Sequence, residues 1–342
     1  MSQGGEFSTG LTTRDNPSGV VDHNKGMEET TTTIKASTPD DFFTLVPYLL
    51  GFHPGESLVA VQIDGRRVGA VARADIAGTA EQVAAAIAPL FDQFPDSDFI
   101  LMAFSRDRRR GDAVLAATEN FLGLNRVIDS LVTDGVRGWS RFNPDPTGWV
   151  LPPPDAELCA EAVFAGMAPL SDRLAIVRLC QGPEDGDVPA CWEALDDAMV
   201  ELQDSIEPRA GMLDRLLAVG LANPDALTRV ECAQLAILAS VIECRDRAWW
   251  AMTRPEARAH RDLWLKVVHA TPEEWAVPVL CLTGVASWLG GEGALLVSCV
   301  ERALQLDPDY SMLHILEDLN RFAVPPALWD SMNLADLGDS KR

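Results

Sequence analysis

A histidine, a glutamate and a serine lie within five residues of one another, in the segment HPGES at residues 53–57. A serine hydroxyl activated by a histidine base and a carboxylate forms a nucleophilic catalytic cluster. However, Pro54-Gly55 is a turn signal, and Ser57 opens an apolar run without the Gly-x-Ser-x-Gly elbow that exposes a nucleophile. The pattern therefore favours a structural interpretation, in which Glu56 and Ser57 bond to turn amides and His53 packs or faces water.

Charged residues also stand at the ends of two predicted strands. Arg73 and Asp75 are two residues apart on a strand, so both side chains point to one face. The segment SRDRRR, residues 105–110, follows the apolar run DFILMAF and precedes a predicted helix. In open α/β sheets, ligands collect at the carboxyl ends of strands, and a helix N-terminus favours anions.

These residues form a candidate site for a small phosphate or carboxylate ligand. Its members are the charged residues at the strand ends, with the histidine and glutamate of the preceding turn as neighbours: Arg73, Asp75, Arg106, Arg108, His53 and Glu56. The alternative is a partly buried ion pair between Arg73 and Asp75 beside a basic loop that only faces water. We assign no catalytic residue and expect no metal and no cofactor, because no phosphate-loop, dinucleotide, HExxH or EF-hand motif occurs.

The cysteines and the absence of targeting signals indicate a soluble cytoplasmic protein. All seven cysteines lie beyond residue 158, and no two have CxxC spacing. Buried, reduced thiols explain this usage best. The opening residues MSQGGEFSTG lack the basic start and apolar run of a secretory signal. The stretch 275–291 is too short and too polar for a membrane span, so we expect no membrane contact.

Strand and helix signals alternate up to about residue 143. Thr38-Pro39 starts a helix that stops at Gly51. The other predicted elements are a short strand near residue 34, strands at 57–63, 68–74, 98–104, 127–133 and 137–142, and helices at 79–91 and 111–122. Asp-Gly dipeptides predict two hairpins. The sequence therefore predicts an α/β N-terminal domain with a mixed sheet, two hairpins and flanking helices.

An all-α C-terminal helical domain is predicted after a run of prolines. The predicted boundaries are a disordered tail at 1–33, the α/β domain at 34–143, a Pro-rich linker at 144–155, the helical domain at 156–337 and a tail at 338–342. One of the predicted helices spans residues 225–251. The stretch from Trp288 to Pro308 resembles the second helix of one tetratricopeptide-like helix pair, although Leu296 replaces a small residue and no second copy occurs at 34-residue spacing. The pattern therefore favours an ordinary helix hairpin with a similar ending over a peptide-binding array.

Several segments resemble one protein family. They are PYLLGFHPGESLV at 47–59, RAD at 73–75, WLGGEGA at 288–294, ERAL at 301–304 and DPDY at 307–310. Together they are similar to the signature of an actinobacterial family known as domain of unknown function 4192. The resemblance covers most of residues 33–330. It implies an α/β part followed by helices, and it brings no activity and no catalytic residues.

The net charge of −23 limits the kinds of partner. Residues 154–342 hold 31 acidic and 15 basic residues, a net charge of −16. Such a surface disfavours nucleic acids and anionic membranes, and it serves either solubility or a basic partner. Two functions therefore stay open. The first is a non-enzymatic intracellular interaction or regulatory protein that binds a protein partner through its acidic helical half. The second is an enzyme or sensor that binds a small anionic ligand at the strand ends.

Overall fold

The chain consists of two compact units, Met1–Asp172 and Arg173–Arg342. The computed structural model describes residues 7–10, 33–65, 67–143 and 145–331. Of the predicted tail at 1–33, only residues 7–10 and residue 33 are described, both within strands. The predicted tail at 338–342 lies outside the described residues.

An eight-stranded mixed sheet forms the centre of the first unit. Its strands are β1 (Phe7–Gly10), β2 (Thr33–Ala36), β3 (Ser57–Asp64), β4 (Arg67–Asp75), β5 (Asp98–Phe104), β6 (Val127–Thr133), β7 (Arg137–Ser140) and β8 (Trp149–Val150). Their order is β2-β1-β4-β3-β5-β6-β7-β8. Strand β5 pairs with β6, and β1 with β4, in parallel, while the other neighbours are antiparallel. The mixed sheet and the hairpins β3–β4 and β6–β7 confirm the predicted α/β class.

Four helices accompany this sheet. They are α1 (Pro39–Leu50), α2 (Ala80–Gln93), α3 (Arg108–Leu122) and α4 (Ala156–Phe164). Helix α1 has the predicted ends because its caps are local. The Thr38 hydroxyl accepts a hydrogen bond from the Asp41 amide, and the Asp41 carboxylate accepts one from the Thr38 amide. Gly51 ends the helix with a φ of 79°, which a glycine adopts without strain.

The apolar core lies on both faces of the sheet. Helices α2 and α3 cover one face with residues such as Leu115, and α1 and α4 cover the other with Leu45 and Leu158. Because α4 shares this core, the first unit extends to Asp172. The division between units therefore falls after α4, and the predicted linker at 144–155 contains β8 of the sheet.

The second unit is built from helices. They are α5 (Arg173–Leu179), α6 (Val188–Asp204), α7 (Arg209–Ala222), α8 (Arg229–Ala239), α9 (Ile242–Trp250), α10 (Ala257–His269), α11 (Glu273–Leu289), α12 (Gly293–Leu306) and α13 (Ser311–Arg321). Short 3-10 helices occur at Leu124–Arg126 in the first unit, and at Pro224–Ala226 and Pro326–Ser331 in the second. Helix α11 is buried along its length from Ala276 to Leu289, so it forms the centre of this unit. The all-α prediction for the C-terminal part is confirmed.

The predicted helix at 225–251 is two helices, α8 and α9. They separate at Ser240, whose hydroxyl donates back to the Ala236 carbonyl, and at Val241, whose backbone is extended. A serine that bonds to its own backbone competes with helix continuation. Among the described residues, no helix is both long enough and apolar enough to cross a membrane.

Candidate functional site

The predicted site lies at one edge of the sheet, where β3 begins and β4, β5 and β6 end. Ser57 opposes Asp75 in β4 and Phe104 in β5, and Phe104 opposes Thr133 in β6. This register places the turn before β3 beside the segments that follow β4 and β5. Of the six predicted residues, it brings Glu56, Arg73, Asp75 and Arg106 to the same edge.

Glu56 connects the turn before β3 to the segment after β5. Its carboxylate accepts hydrogen bonds from the Ser105 hydroxyl and the Arg106 amide, both at 2.9 Å. Its carbonyl accepts one from the Ile76 amide at 3.0 Å. The φ of Glu56 is 36°, a conformation that costs a non-glycine residue on the order of 1 kcal/mol. The structural interpretation expected this carboxylate to bond to the amides of its own turn. It bonds instead to the segment that follows β5.

These contacts bear directly on the proposed anion site. The Ser105 hydroxyl and the Arg106 amide are the donors that an anion at the carboxyl end of β5 would use. The Glu56 carboxylate already occupies both of them. The protein thus supplies its own anion at this edge of the sheet.

Arg73 is the centre of a second set of contacts. Its Nε donates to the Ser57 hydroxyl oxygen at 2.8 Å, it forms an ion pair with Asp75, and its guanidinium lies 5.8 Å from the centre of the Phe52 ring. The Ser57 hydroxyl in turn donates to the Gly55 carbonyl at 2.6 Å. Ser57 is fully buried. Its proton and one of its two lone pairs are engaged and its side chain is buried, so it is not placed to act as a nucleophile.

His53 does not join Glu56 and Ser57 in a catalytic cluster. Its side chain is exposed, and its backbone amide donates to the Leu170 carbonyl at 3.1 Å. Among the residues that the structure describes, no hydrogen bond joins the His53 ring to Ser57 or Glu56. The triad geometry of a general base in contact with a nucleophile is absent from this part of the chain.

The run of arginines begins a helix. Helix α3 starts at Arg108, three residues before the predicted start at Gly111, because the Asp107 side chain caps it by accepting from the Arg109 amide. Arg108 donates to the Pro146 carbonyl at 2.9 Å, and its guanidinium lies 4.7 Å from the centre of the Trp139 ring. Arg108 also forms an ion pair with Asp112 on the same helix at 3.5 Å. These contacts direct it to the β7–β8 region and its own helix, and not to Glu56 or Arg73. The prediction of a basic loop is corrected to the first turn of a helix.

Ser105 and Arg110 take part in this edge although the prediction missed them. Arg110 donates to the carbonyls of Ile76 and Gly78, and so ties α3 to the segment after β4. The position of Ser105, directly after the most apolar strand, was the available signal. Arg106 and Arg109 are exposed, and no ion pair involves their guanidinium groups among the described residues.

Five of the seven cysteine thiols have a raised pKa, with burial among the causes. Six of the seven are buried, and Cys159 is half-buried. Burial raises the pKa of Cys232 to about 11 and that of Cys281 to about 12. The sulfurs of Cys180 and Cys299 lie 3.4 Å apart, and the hydrogen bond between them and burial raise the pKa of Cys299. Such thiols stay protonated near neutral pH.

Two depressions on the surface offer space for a small ligand. One of about 190 Å³ is lined by Trp139, Ser140, Asn143, Asp145, Gly148 and Trp149. Two of its polar groups are engaged locally, because Ser140 donates to Asp129 and hydrogen bonds from Thr147 lower the pKa of Asp145. The buried indole N–H of Trp139 has no partner among the described residues. The other, of about 530 Å³, is an open groove between α12 and α13. Within the described ranges, no group of three or more His, Cys, Asp or Glu side chains could hold a metal ion.

The acidic charge of the second unit is concentrated in one stretch. The two units have similar net charges, −11 for residues 1–172 (13 basic, 24 acidic) and −12 for residues 173–342 (15 basic, 27 acidic). The larger value for residues 154–342 arises because that range includes four acids of the first unit. Between Arg178 and Arg209, however, the chain has nine carboxylates and no basic residue. Five of the nine lie on α6.

The fold defines a class of protein in which an α/β unit with a mixed sheet precedes an all-helical unit. The chain belongs to the family described as Domain of unknown function (DUF4192), whose model matches residues 39–327. This match confirms the family suggested by the PYLLGFHPGESLV segment. No curated protein and no solved structure matches the chain.

Proposed function

We propose that the protein is a non-enzymatic, cytoplasmic interaction or regulatory protein that binds a protein partner through its helical unit. The observation that carries the proposal is the stretch between Arg178 and Arg209, with nine carboxylates and no base. Charge of one sign on a protein surface attracts partners of the opposite sign and speeds their association. The strand-end site supports the same conclusion, because its polar groups bond to one another.

Quantitative affinity purification tests this function. The full chain is tagged, expressed at its natural level and purified from native lysate at low salt. The mass of the intact complex is then measured by native mass spectrometry. We expect a protein partner in a fixed stoichiometry that dissociates as salt is added, because screening weakens charge attraction between surfaces. Recovery of the free chain alone at natural concentration would contradict the proposal.

A second function is supported by the two exposed arginines at the start of α3. Arg106 and Arg109 flank the carboxyl end of β5, where a small phosphate or carboxylate ligand would meet the positive end of a helix. Under this alternative the protein is an enzyme or sensor for an anionic metabolite, which must compete with the Glu56 carboxylate.

Thermal stability in the presence of nucleotides and inorganic phosphate tests this alternative. Under this alternative, we expect a nucleotide or phosphate to raise the melting temperature of the unmodified chain. This rise should be lost in Arg106→Ala/Arg109→Ala. Arg67→Ala, on β4, serves as the control for removing an arginine of the same unit. The same rise in all three proteins, or none in any, would contradict the alternative.

A further inference from the structure

The outward side of α6 combines charge with apolar surface. Residues Val200, Trp192 and Met199 are 59%, 37% and 39% exposed. The opposite side of the helix, with Leu195 and Ala198, is buried against the rest of the unit. We define the α6 face as the exposed residues Trp192, Glu193, Asp196, Asp197, Met199, Val200 and Asp204.

Helical spacing places the apolar and acidic residues side by side. Val200 is one turn from Asp196, Asp197 and Asp204, because residues three and four apart are neighbours on a helix surface. Trp192 lies two turns before Met199, so the apolar side chains extend about 12 Å along the helix. Trp192 and Met199 lie within about 20° of each other around the helix axis, whereas Val200 lies about 100° from Met199, with Asp196 between them. This mixed apolar and acidic surface is long enough for about two turns of a partner helix.

The carboxylates of this face lack counterions. Glu193, Asp196, Asp197 and Asp204 form no ion pair within the described part of the chain, and α6 itself contains no Lys or Arg. Glu193 and Asp197 are four residues apart, a spacing at which like charges destabilise a helix. Positive charge from a partner would remove this repulsion.

The ends of the chain and a second copy are poor sources of that charge. Residues 1–33 carry a net charge of −3, and residues 332–342 hold two basic and two acidic residues. A second copy of the chain brings another −23. Net charge therefore favours a different protein as the source of the complementary surface.

We propose that the α6 face binds an amphipathic helix of a different protein, with apolar residues on one side and Lys or Arg on its flanks. This inference rests on the proposed function and names the partner's chemistry. The partner's apolar side packs on Val200, Trp192 and Met199, while its basic flanks meet the carboxylates. Burial of these three apolar side chains provides affinity, and the charges set orientation and association rate.

Fluorescence anisotropy with three labelled 18-residue peptides tests the proposal on the full chain. The first places leucines on one helical side and lysines on the other. The second replaces each lysine with glutamate, and the third replaces each leucine with serine. We expect the first to bind most tightly, because only it presents both the apolar side and the positive charge. Equal binding of the first and third peptides would overturn the proposal, since charge alone would then explain the binding.

Matched variants locate the binding. In Glu193→Gln/Asp196→Asn/Asp197→Asn, and separately in Val200→Ser, we expect the dissociation constant of the first peptide to rise about tenfold. The control variant Asp309→Asn/Glu317→Gln/Asp318→Asn removes the same charge from α13 and the segment before it, and its affinity should stay within about twofold of the unmodified chain. Equal weakening in both triple variants would overturn the proposal.

The outcome is separable from that of the proposed function. Suppose that the unmodified chain and the α6 variant recover the same amount of partner from lysate. That result would contradict binding at the α6 face but would leave the proposed interaction function intact. Recovery of no partner by the unmodified chain would contradict the function itself.

Discussion

The strand-end edge of the first unit and the α6 face of the second both carry charged side chains, but they use them in opposite ways. At the edge, the Glu56 carboxylate and the Arg73 guanidinium are bonded to neighbours within the unit. On α6, carboxylates such as Asp196 and Asp197 have no counterion in the described chain. Charged groups that satisfy one another stabilise a fold, whereas unsatisfied like charges cost stability and are available to a partner.

The largest effect is expected from removing the Glu56 carboxylate. In Glu56→Ala, the Ser105 hydroxyl and the Arg106 amide lose their acceptor, so the free energy of unfolding should fall by about 2 kcal/mol. Urea denaturation measures this change. Glu56→Gly is the control, because glycine relieves the positive φ while also lacking the carboxylate. A change below about 0.5 kcal/mol in Glu56→Ala would show that the edge is not a structural network.

A buried histidine should make the interior of the helical unit sensitive to acid. Burial lowers the pKa of His260, opposed in part by Glu256. The folded pKa is below the unfolded one, so the stability from neutral His260 is present above about pH 6.5 and is lost as the pH falls below it. This loss should grow as the pH falls from 7 to 5.

The pH profile of His260→Gln isolates this contribution. The carboxyl groups titrate in both the unmodified chain and His260→Gln. The difference between the two pH profiles of stability therefore reports on residue 260. The difference should grow on acidification. Parallel profiles would show that His260 is not neutral and desolvated in the folded protein.

Neutralising α6 should have a smaller effect of the opposite sign to that at Glu56. Glu193→Gln/Asp196→Asn/Asp197→Asn removes repulsions at helical spacing, each of about 0.2–0.5 kcal/mol. The variant should therefore unfold at slightly higher temperature at low salt, and the gain should shrink as salt is added. Calorimetry at two salt concentrations measures it. Destabilisation would indicate that these carboxylates already have partners within the chain.

The smallest effect is expected at Arg106. Its guanidinium is exposed and only its backbone amide is bonded to Glu56, so Arg106→Ala should change the free energy of unfolding by less than about 0.5 kcal/mol. Glu56→Ala removes the acceptor of the same hydrogen bond, whereas Arg106→Ala keeps the backbone amide that donates it. Comparing the two variants shows whether the Arg106 side chain or its backbone amide stabilises this edge. A loss similar to that of Glu56→Ala would mean that the arginine side chain supports the edge.

Local signals were sufficient to predict most elements of the first unit. The Thr38 cap, the Gly51 stop and the Asp-Gly hairpin turns depend on neighbouring residues in sequence, so the sequence predicts them well. The start of α3 was missed because the sequence does not show whether the arginines after Asp107 form a loop or the first turn of a helix capped by Asp107. The position of the unit division after α4 depends on long-range packing, because α4 joins the sheet core, and no local pattern reports such packing.

The candidate site was predictable only in outline. The sequence placed Glu56, Arg73, Asp75 and Arg106 near one another at the strand ends, as the structure does, because strand ends follow from strand limits. It could not show that Glu56 reaches across to Ser105, since that contact joins residues 49 apart. The α6 face was missed as well, because its significance depends on which side of the helix is buried.

The most direct test of the account compares three tagged proteins in native lysate: the unmodified chain, the α6 triple variant and the control triple variant at residues 309, 317 and 318. Quantitative mass spectrometry measures the partner recovered per chain. We expect the unmodified chain and the control variant to recover equal amounts of partner, and the α6 variant to lose most of it. Equal recovery with all three proteins would contradict the account.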